Sequence, residues 1–448
     1  MSDDGLPARR AALAALTEID GGAWSNLAVP RAVAQLTEAR DRALASHLAY
    51  DTVRFAGTLD WALAQVLTRR LDDVESVLQR VLRLGALQLL RTDVPPHAAV
   101  ATSVALAREA VPSARAKGAS GFVNGVLRQL DRRRGELAWP DPERDPIGDL
   151  VLRTAHPRWA VEDLVARFDL ARAGAILEAD DVPPGVTLRA VGDRDALVAE
   201  LREAGIEASA GGAPAAVRAP GADPRRVAAV TEGRAVVQDE ASQRVVLATG
   251  VTAGARVLDL CAGPGGKTGY LAGLVGPDGP PVVAVEQHPH RARMVREAAD
   301  RLGVAVDVRV GDAATPPLGD EDRFDVVLLD APCTGLGVGR RRPEVRWRRT
   351  PDDVRDLARL QRELLEVAAR WVAPGGRLTY AACTWTRDET DGVADHLDAV
   401  RPDLEAGARF QLTPDRDDTD GMFVAVWDAS VRSATEPAPR PHPAPGER

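Results

Sequence analysis

The alternation that begins near residue 238 constrains this chain more than any other feature. Short apolar, β-type runs (RVLDL, VVAVE, VDVRV, FDVVLLD and GRLTYAA) are separated there by helix-length segments, among them residues 290–302 and 353–372. That rhythm predicts a mainly parallel sheet with helices on both faces. Open sheets of this kind bind ligands beyond the carboxyl ends of their strands, so the residues that end these runs are the first candidates for chemistry.

The rest of the chain is patterned differently. At 448 residues it exceeds the ~250–300 at which single cores stop growing. Residues 6–135 read as helical: Leu71, Val74, Leu78 and Val81 fall at helical spacing, as do Val100, Val104, Ala107 and Val111, with Pro95-Pro96 between the two runs. Pro and Gly breaks divide the region into several short helices, which implies a small bundle. The stretch ELAWPDPERDPIGD is a Pro/Asp-rich linker that closes it. A helix at RWAVEDLVARF, an alternating strand at VTLRAV, a helix over residues 193–204 and the loop AGGAPAAVRAPGADP then describe a small α+β module. The expected division is 1–138, 145–235 and 236–430, followed by a Pro-rich tail, 431–448, whose composition predicts disorder.

Three cysteines without CxxC spacing exclude a disulfide framework and offer no zinc site, so no metal is expected. No stretch approaches the ~18 unbroken apolar residues of a membrane span, and the first residues lack a clean cleavage site. The expectation is a cytoplasmic protein with no membrane partner. The net charge is −9, yet residues 1–135 carry +4 and the remainder −13, so basic charge is local. Lysine occurs only at Lys117 and Lys267, which singles out the latter.

Lys267 sits in RVLDLCAGPGGKTGYLAGL, a strand, a glycine loop and a helix, the arrangement in which backbone N–H groups approach a polar ligand. A P-loop would need GxxxxGK[ST], and Cys261 occupies the position of its first glycine. A dinucleotide fingerprint GxGxxG starting at Gly263 and Gly265 fails at Thr268. An S-adenosylmethionine pocket fits better: Asp259 opens the loop, Glu286 ends the next strand where an acid binds ribose hydroxyls, and Asp312 follows the third strand, placed to hold the adenine amino group. One glycine turn alone is as often packing as function. Three polar residues ending three successive strands are harder to assign to packing.

Two cysteines end adjacent predicted strands, Cys333 in DAPCTG and Cys383 in LTYAACTWTRDET. Carbon 5 of a pyrimidine attacks a sulfonium methyl only after a thiolate adds at carbon 6, whereas amine or phenol methylation needs no such nucleophile. A single buried cysteine is usually an apolar filler. With all three at one sheet edge, Cys333 and Cys383 are read as chemistry and Cys261 as packing. Thr386 and Glu389 have the spacing of a capping box, which predicts a helix start just after Cys383 and a thiolate favoured by it.

CAGPGGKT, DAPCTGLGVGRRRPEVRW and YAACT, in this order, resemble the motifs of the RNA (cytosine-5) methyltransferases of the Nop2/Sun group, closest to the bacterial Sun branch, the 16S ribosomal RNA cytosine-5 methyltransferase B type. The likeness covers nearly the whole chain. VLRLGALQLLRTDVPPHAAV and GFVNGVLRQL resemble a NusB-like domain, HPRW and VQDEASQ the connecting module, and DGMFVAVW the last hairpin. The resemblance implies a Rossmann-like methyltransferase domain preceded by an all-α NusB-like RNA-binding domain and an α+β module. It implies Cys383 as nucleophile, Cys333 as the residue that assists release of the methylated base, and Asp330 as the contact to the cytosine ring. It further implies S-adenosylmethionine held by Cys261, Ala262, Gly263, Pro264, Gly265, Gly266 and Lys267 with Glu286, Asp312 and Asp330. The group commonly carries Ser or Thr followed by Thr before the nucleophile; this chain has Ala381 and Ala382.

GRRRPEVRWRR follows the Cys333 loop. An arginine run is usually a solvated face, but its position predicts phosphate contacts from Arg340, Arg341, Arg342 and Arg346 around Trp347. Residues 108–134, with seven cations against Glu109 and Asp131, predict a second RNA surface. The target cytosine should be unpaired or flipped out. The expected substrate is 16S ribosomal RNA and the expected state monomeric. A cytosine of tRNA or 23S rRNA, an amino methyltransferase that does not depend on Cys383, and a non-catalytic RNA-binding or antitermination-type factor remain open alternatives.

Overall fold

The computed structural model describes residues 5–430, so the Pro-rich tail expected from residue 431 lies outside the described residues. The first part is helical. Helices Leu6–Asp20, Ser25–Val33, Ala39–Arg54, Ala56–Ala64, Ser76–Arg91, Pro96–Ala110 and Ser113–Arg133 enclose one apolar core that includes Leu48, Leu63, Leu82, Leu87 and Leu127. Pro96 opens its helix at a position where a missing N–H costs nothing. The run from Leu71 to Val81 is not one helix. Leu71–Asp73 is a 3-10 turn and the helix begins at Ser76, because Val74 is extended, although all four apolar residues are buried.

The linker ends in structure. Asp145 accepts from Gly148 N and caps helix Pro146–Arg153, which is followed by helices Arg158–Phe168 and Leu170–Asp180. A four-stranded antiparallel sheet comes next: β1 (Val186–Ala190), β2 (Ser209–Ala210), β3 (Ala216–Ala219) and β4 (Ala235–Val237), in the order β2-β3-β1-β4. The helix Arg194–Glu203 crosses one face, capped by Asp193. β3 comes from the stretch read as a loop, because Ala216, Val217 and Ala219 are buried despite their small size.

The last part is a seven-stranded sheet. β5 (Val257–Asp259), β6 (Val282–Glu286), β7 (Val306–Val310), β8 (Phe324–Asp330), β9 (Val372–Ala382), β10 (Leu404–Leu412) and β11 (Met422–Ala429) lie in the order β10-β11-β9-β8-β5-β6-β7. Strands β5 to β9 are parallel, and β11 runs antiparallel between β9 and β10. Both faces of β8 are buried. Val327 and Leu329 meet Leu364 and Leu365 of helix Pro351–Arg370, while Val326 and Leu328 meet Leu271 and Val275 of helix Gly266–Val275. The order reverses between β5 and β8, and at this switch point the carboxyl ends of two diverging halves open a crevice.

Candidate active site

The crevice is built by loops that leave adjacent strands. After β5, Gly265 adopts φ +101° at the N-cap of helix Gly266–Val275, and no side chain caps that helix. A Cβ on Gly263 would collide with Glu286 Oε2, and one on Gly265 would press on Val295, so glycine keeps the loop close to its neighbours. Asp259, 1 % exposed, accepts from Thr268 Oγ1 at 2.7 Å, and its other oxygen has no partner. Burial first, with the Asp330 charge adding to it against Thr268 and Lys267, pushes the Asp259 carboxyl up to about 7.

Glu286 ends β6 and is buried. Its Oε2 accepts from Gly263 N at 3.0 Å and its Oε1 from His288 N at 2.9 Å, which fixes the carboxylate at the lip of the glycine loop. Asp312, beyond β7, is exposed and accepts from Ala314 N at 2.9 Å. Cys261 faces the β8 side of the loop among apolar residues, and burial together with the surrounding acids pushes its thiol up.

Asp330 ends β8 and accepts from Lys267 Nζ at 2.7 Å. Burial works against the Lys267 charge, but the Asp330 carboxylate and its hydrogen bond outweigh it and move the ammonium above its ordinary value. Because β8 and β9 are neighbours, their following loops meet, and Cys333 Sγ lies 3.1 Å from Cys383 Sγ. That hydrogen bond, then burial, pushes the Cys333 thiol well above the usual range. Gly337 donates its N–H to Cys383 O at 3.0 Å and accepts from Gly421 N at 2.7 Å, which pins the Cys383 loop to the turn before β11.

Glu389 has a role that its spacing disguised. The following helix is Asp391–Val400, eight residues beyond Cys383, and Thr386 and Glu389 do not cap it. Instead the fully buried Glu389 carboxylate accepts five hydrogen bonds. Three come from the hydroxyls of Thr334, Thr384 and Thr386 at 2.6, 3.2 and 2.8 Å, and two from Thr334 N and Gln361 Nε2 at 2.7 and 3.1 Å.

The arginine-rich segment is corrected by the structure. Arg340, 5 % exposed, donates to the carbonyls of Val182 and Thr419 and to Asp418. Arg341 engages Asp420 and Asp239 at 3.0 and 2.7 Å. Arg346, 1 % exposed, binds Asp180 and Asp181 at 2.6 Å each. The Trp347 indole donates to Val53 O at 2.7 Å and its ring packs on Gly57. Arg348 donates to Ile19 O and Ala23 O, and Arg342 lies over the Trp24 ring. Partners 78 to 329 residues distant in sequence, gathered by the fold, occupy donors of Arg340, Arg341, Arg346 and Arg348. Arg342 and Arg348 are half-buried, each with its guanidinium over the Trp24 ring. In the second basic stretch, Arg115 pairs with Glu75 and Arg133 donates to Gln65 O.

Asp259 with its orphaned oxygen, the buried acceptor Glu286, the side-chain-free cradle at Gly263 and Gly265 and an uncapped helix end fit one kind of ligand, an adenosyl amino acid. Fold and site together define an S-adenosylmethionine-dependent methyltransferase. Residues 246–428 match the 16S rRNA methyltransferase RsmB/F family, residues 6–132 the NusB family, and residues 156–222 the ferredoxin-like domain of RsmF/B-like methyltransferases. A putative methyltransferase of Mycobacterium tuberculosis is 43 % identical, covering 94 % of this chain and 96 % of its own. The ribosomal RNA small subunit methyltransferase B of Pseudomonas putida is 36 % identical over 94 % and 97 % of the two chains. The crystal structure of PH0851 superposes over 95 % of this chain and 99 % of that one with a TM-score of 0.83 at 24 % identity, and that of NSun6 from Pyrococcus horikoshii with SFG over 62 % and 99 % with a TM-score of 0.56 at 20 %. The chain belongs to the RsmB/F family of 16S rRNA methyltransferases. Among the described residues no helix is long and apolar enough to cross a membrane.

Proposed function

We propose that this enzyme methylates carbon 5 of a cytosine in 16S ribosomal RNA through a covalent adduct with Cys383. The observation that carries the reading is the pair of thiols 3.1 Å apart at the mouths of β8 and β9, beside the Lys267–Asp330 pair. A methyltransferase acting on an exocyclic nitrogen has no use for two juxtaposed thiols. The substrate class follows relatives named for the small ribosomal subunit RNA.

When bound, S-adenosylmethionine supplies an electrophilic methyl group. Cys261 to Lys267, Glu286, Asp312 and Asp330 would hold it, with Glu286 accepting from the ribose hydroxyls and Asp312 from the adenine amino group. Cys383 adds as a thiolate to carbon 6, and the electrons displaced make carbon 5 able to form the new carbon–carbon bond. Asp330 contacts the cytosine ring and is held in place by Lys267. The methyl would come with S-adenosylhomocysteine as leaving group; completion then requires the carbon 5 proton to pass to a base, its bonding electrons restoring the 5,6 double bond and expelling the Cys383 thiolate from carbon 6. Cys333, hydrogen-bonded to Cys383, serves this release step.

The two cysteines should therefore fail differently. Cys383→Ala is expected to be inactive and to form no adduct. Cys333→Ala should methylate once and stay attached, giving a protein–RNA band that survives denaturing electrophoresis and vanishes in the double variant. A Cys333→Ala enzyme with normal turnover, or a stable adduct in Cys383→Ala, would reverse or remove these roles.

A further inference from the structure

We propose that Glu389 is a positioning residue that sets the distance between the two thiols. The inference rests on the covalent reading above for its meaning in catalysis, but the geometry stands independently. Thr334 directly follows Cys333 and Thr384 directly follows Cys383, and both hydroxyls converge on Glu389 Oε2 while lying 2.9 Å from each other. Glu389 Oε1 takes the Thr334 backbone N–H and the amide of Gln361, whose same amide nitrogen also donates to Pro332 O at 2.8 Å. One carboxylate thus ties the residue after each cysteine to helix Pro351–Arg370. Its own backbone is fixed in turn, since Tyr380 Oη donates to Glu389 O at 2.7 Å from the neighbouring strand β9.

A fully buried carboxylate is costly unless every lone pair is used, and here five donors use them. A sequence that needed only to close two loops has cheaper apolar solutions. What the carboxylate supplies that packing would not is a common acceptor for two loops, so that neither cysteine shifts without stretching bonds to the other's loop. A reaction that starts on one sulfur and finishes with help from the other requires that coupling.

The test reads the thiol spacing directly. Diamide takes up two hydrogens from a pair of thiols and leaves a disulfide, so the rate at which the Cys333–Cys383 disulfide forms in the folded protein, followed by peptide mass mapping, measures their juxtaposition. In Glu389→Ala this rate should fall about tenfold or more and kcat about 100-fold, the loss expected for a misplacement near 1 Å, while KM for RNA and Kd for S-adenosylhomocysteine stay within about twofold. Glu389→Gln should recover most of both, because its amide still accepts from one side and donates to hydroxyl oxygens on the other. If Glu389→Ala does not fold, Thr334→Val against Thr334→Ser reads the same coupling from the Cys333 loop. Wild-type crosslinking in Glu389→Ala, or a kcat loss no larger than the unfolded fraction, would overturn the proposal. A Cys383→Ala enzyme that still methylates would instead remove the covalent reading and leave the crosslinking result to judge Glu389.

Discussion

Arg346 decides between a seam and an RNA surface. Its guanidinium donates to Asp180 Oδ2 at 2.6 Å, Asp180 O at 2.9 Å, Asp181 Oδ1 at 2.6 Å and Thr154 O at 3.4 Å, and Asp180 also meets His156 Nε2 at 3.2 Å. Burial acts to raise the Asp180 carboxyl, and Arg346 with His156 outweighs it and holds the group below the usual carboxylate range. Arg346→Met would strand Asp180 at 0 % exposure with histidine alone, and removal of one partner from a buried pair costs about 3–5 kcal/mol. The pH dependence has a definite sign. A carboxyl with a depressed folded pKa stabilises above its unfolded pKa and loses that contribution as pH falls, so the deficit of Arg346→Met should be largest at neutral pH and shrink in acid. Asp180→Asn in the Arg346→Met background should recover part of the loss, which a double-mutant cycle in urea unfolding measures. A phosphate contact would behave otherwise, flattening the salt dependence of RNA binding by about 0.7–0.9 log units with stability unchanged. That outcome would refute the seam.

Glu286→Gln should weaken S-adenosylhomocysteine binding by about 1.5–3 kcal/mol in calorimetry with RNA affinity preserved, and unchanged affinity would take Glu286 out of the pocket. Asp259, raised to about 7 in the fold, binds a proton that the unfolded chain has released above its ordinary pKa near 4, so it lowers stability as pH rises from about 4 to 7. Asp259→Asn should flatten that part of the Tm–pH curve, and an identical slope in the variant would show the group ionised throughout. Gly337→Ala places a Cβ against Gly421 O and the Cys383 carbonyl carbon, so turnover should fall together with about 1–3 kcal/mol of stability.

The parallel sheet was legible because β5, β6 and β8 are apolar runs of strand length that end on acids. The meeting of the Cys333 and Cys383 loops was legible for the same reason, since adjacent strands in an alternating α/β pattern bring their following loops together. The strand β3 was not, because its Ala-rich run carries little β signal and is held by burial against helix Arg194–Glu203. Glu389 was visible as a residue and hidden as a function: a Thr-x-x-Glu spacing describes the first turn of a helix and says nothing of Thr334, 55 positions upstream. The arginines failed in a similar way. Charge density along a chain is local information, while the acids that neutralise it, Asp180, Asp239, Asp418 and Asp420, arrive only with the tertiary fold.

Those arginines also bear on how such an enzyme can be rearranged. The chain that leaves Cys333 runs through Arg340, clamped from the other side by Arg54 on its carbonyl, then through Glu344, which accepts from Ser25 N, to Trp347 and Arg348 plugged into the amino-terminal helices. The helical part is therefore not a detachable adaptor. Exchanging it for another module would strip Glu344 of the Ser25 N–H, Trp347 of the Val53 carbonyl and Arg348 of the Ile19 and Ala23 carbonyls, so any transplant would have to carry its docking partners with it.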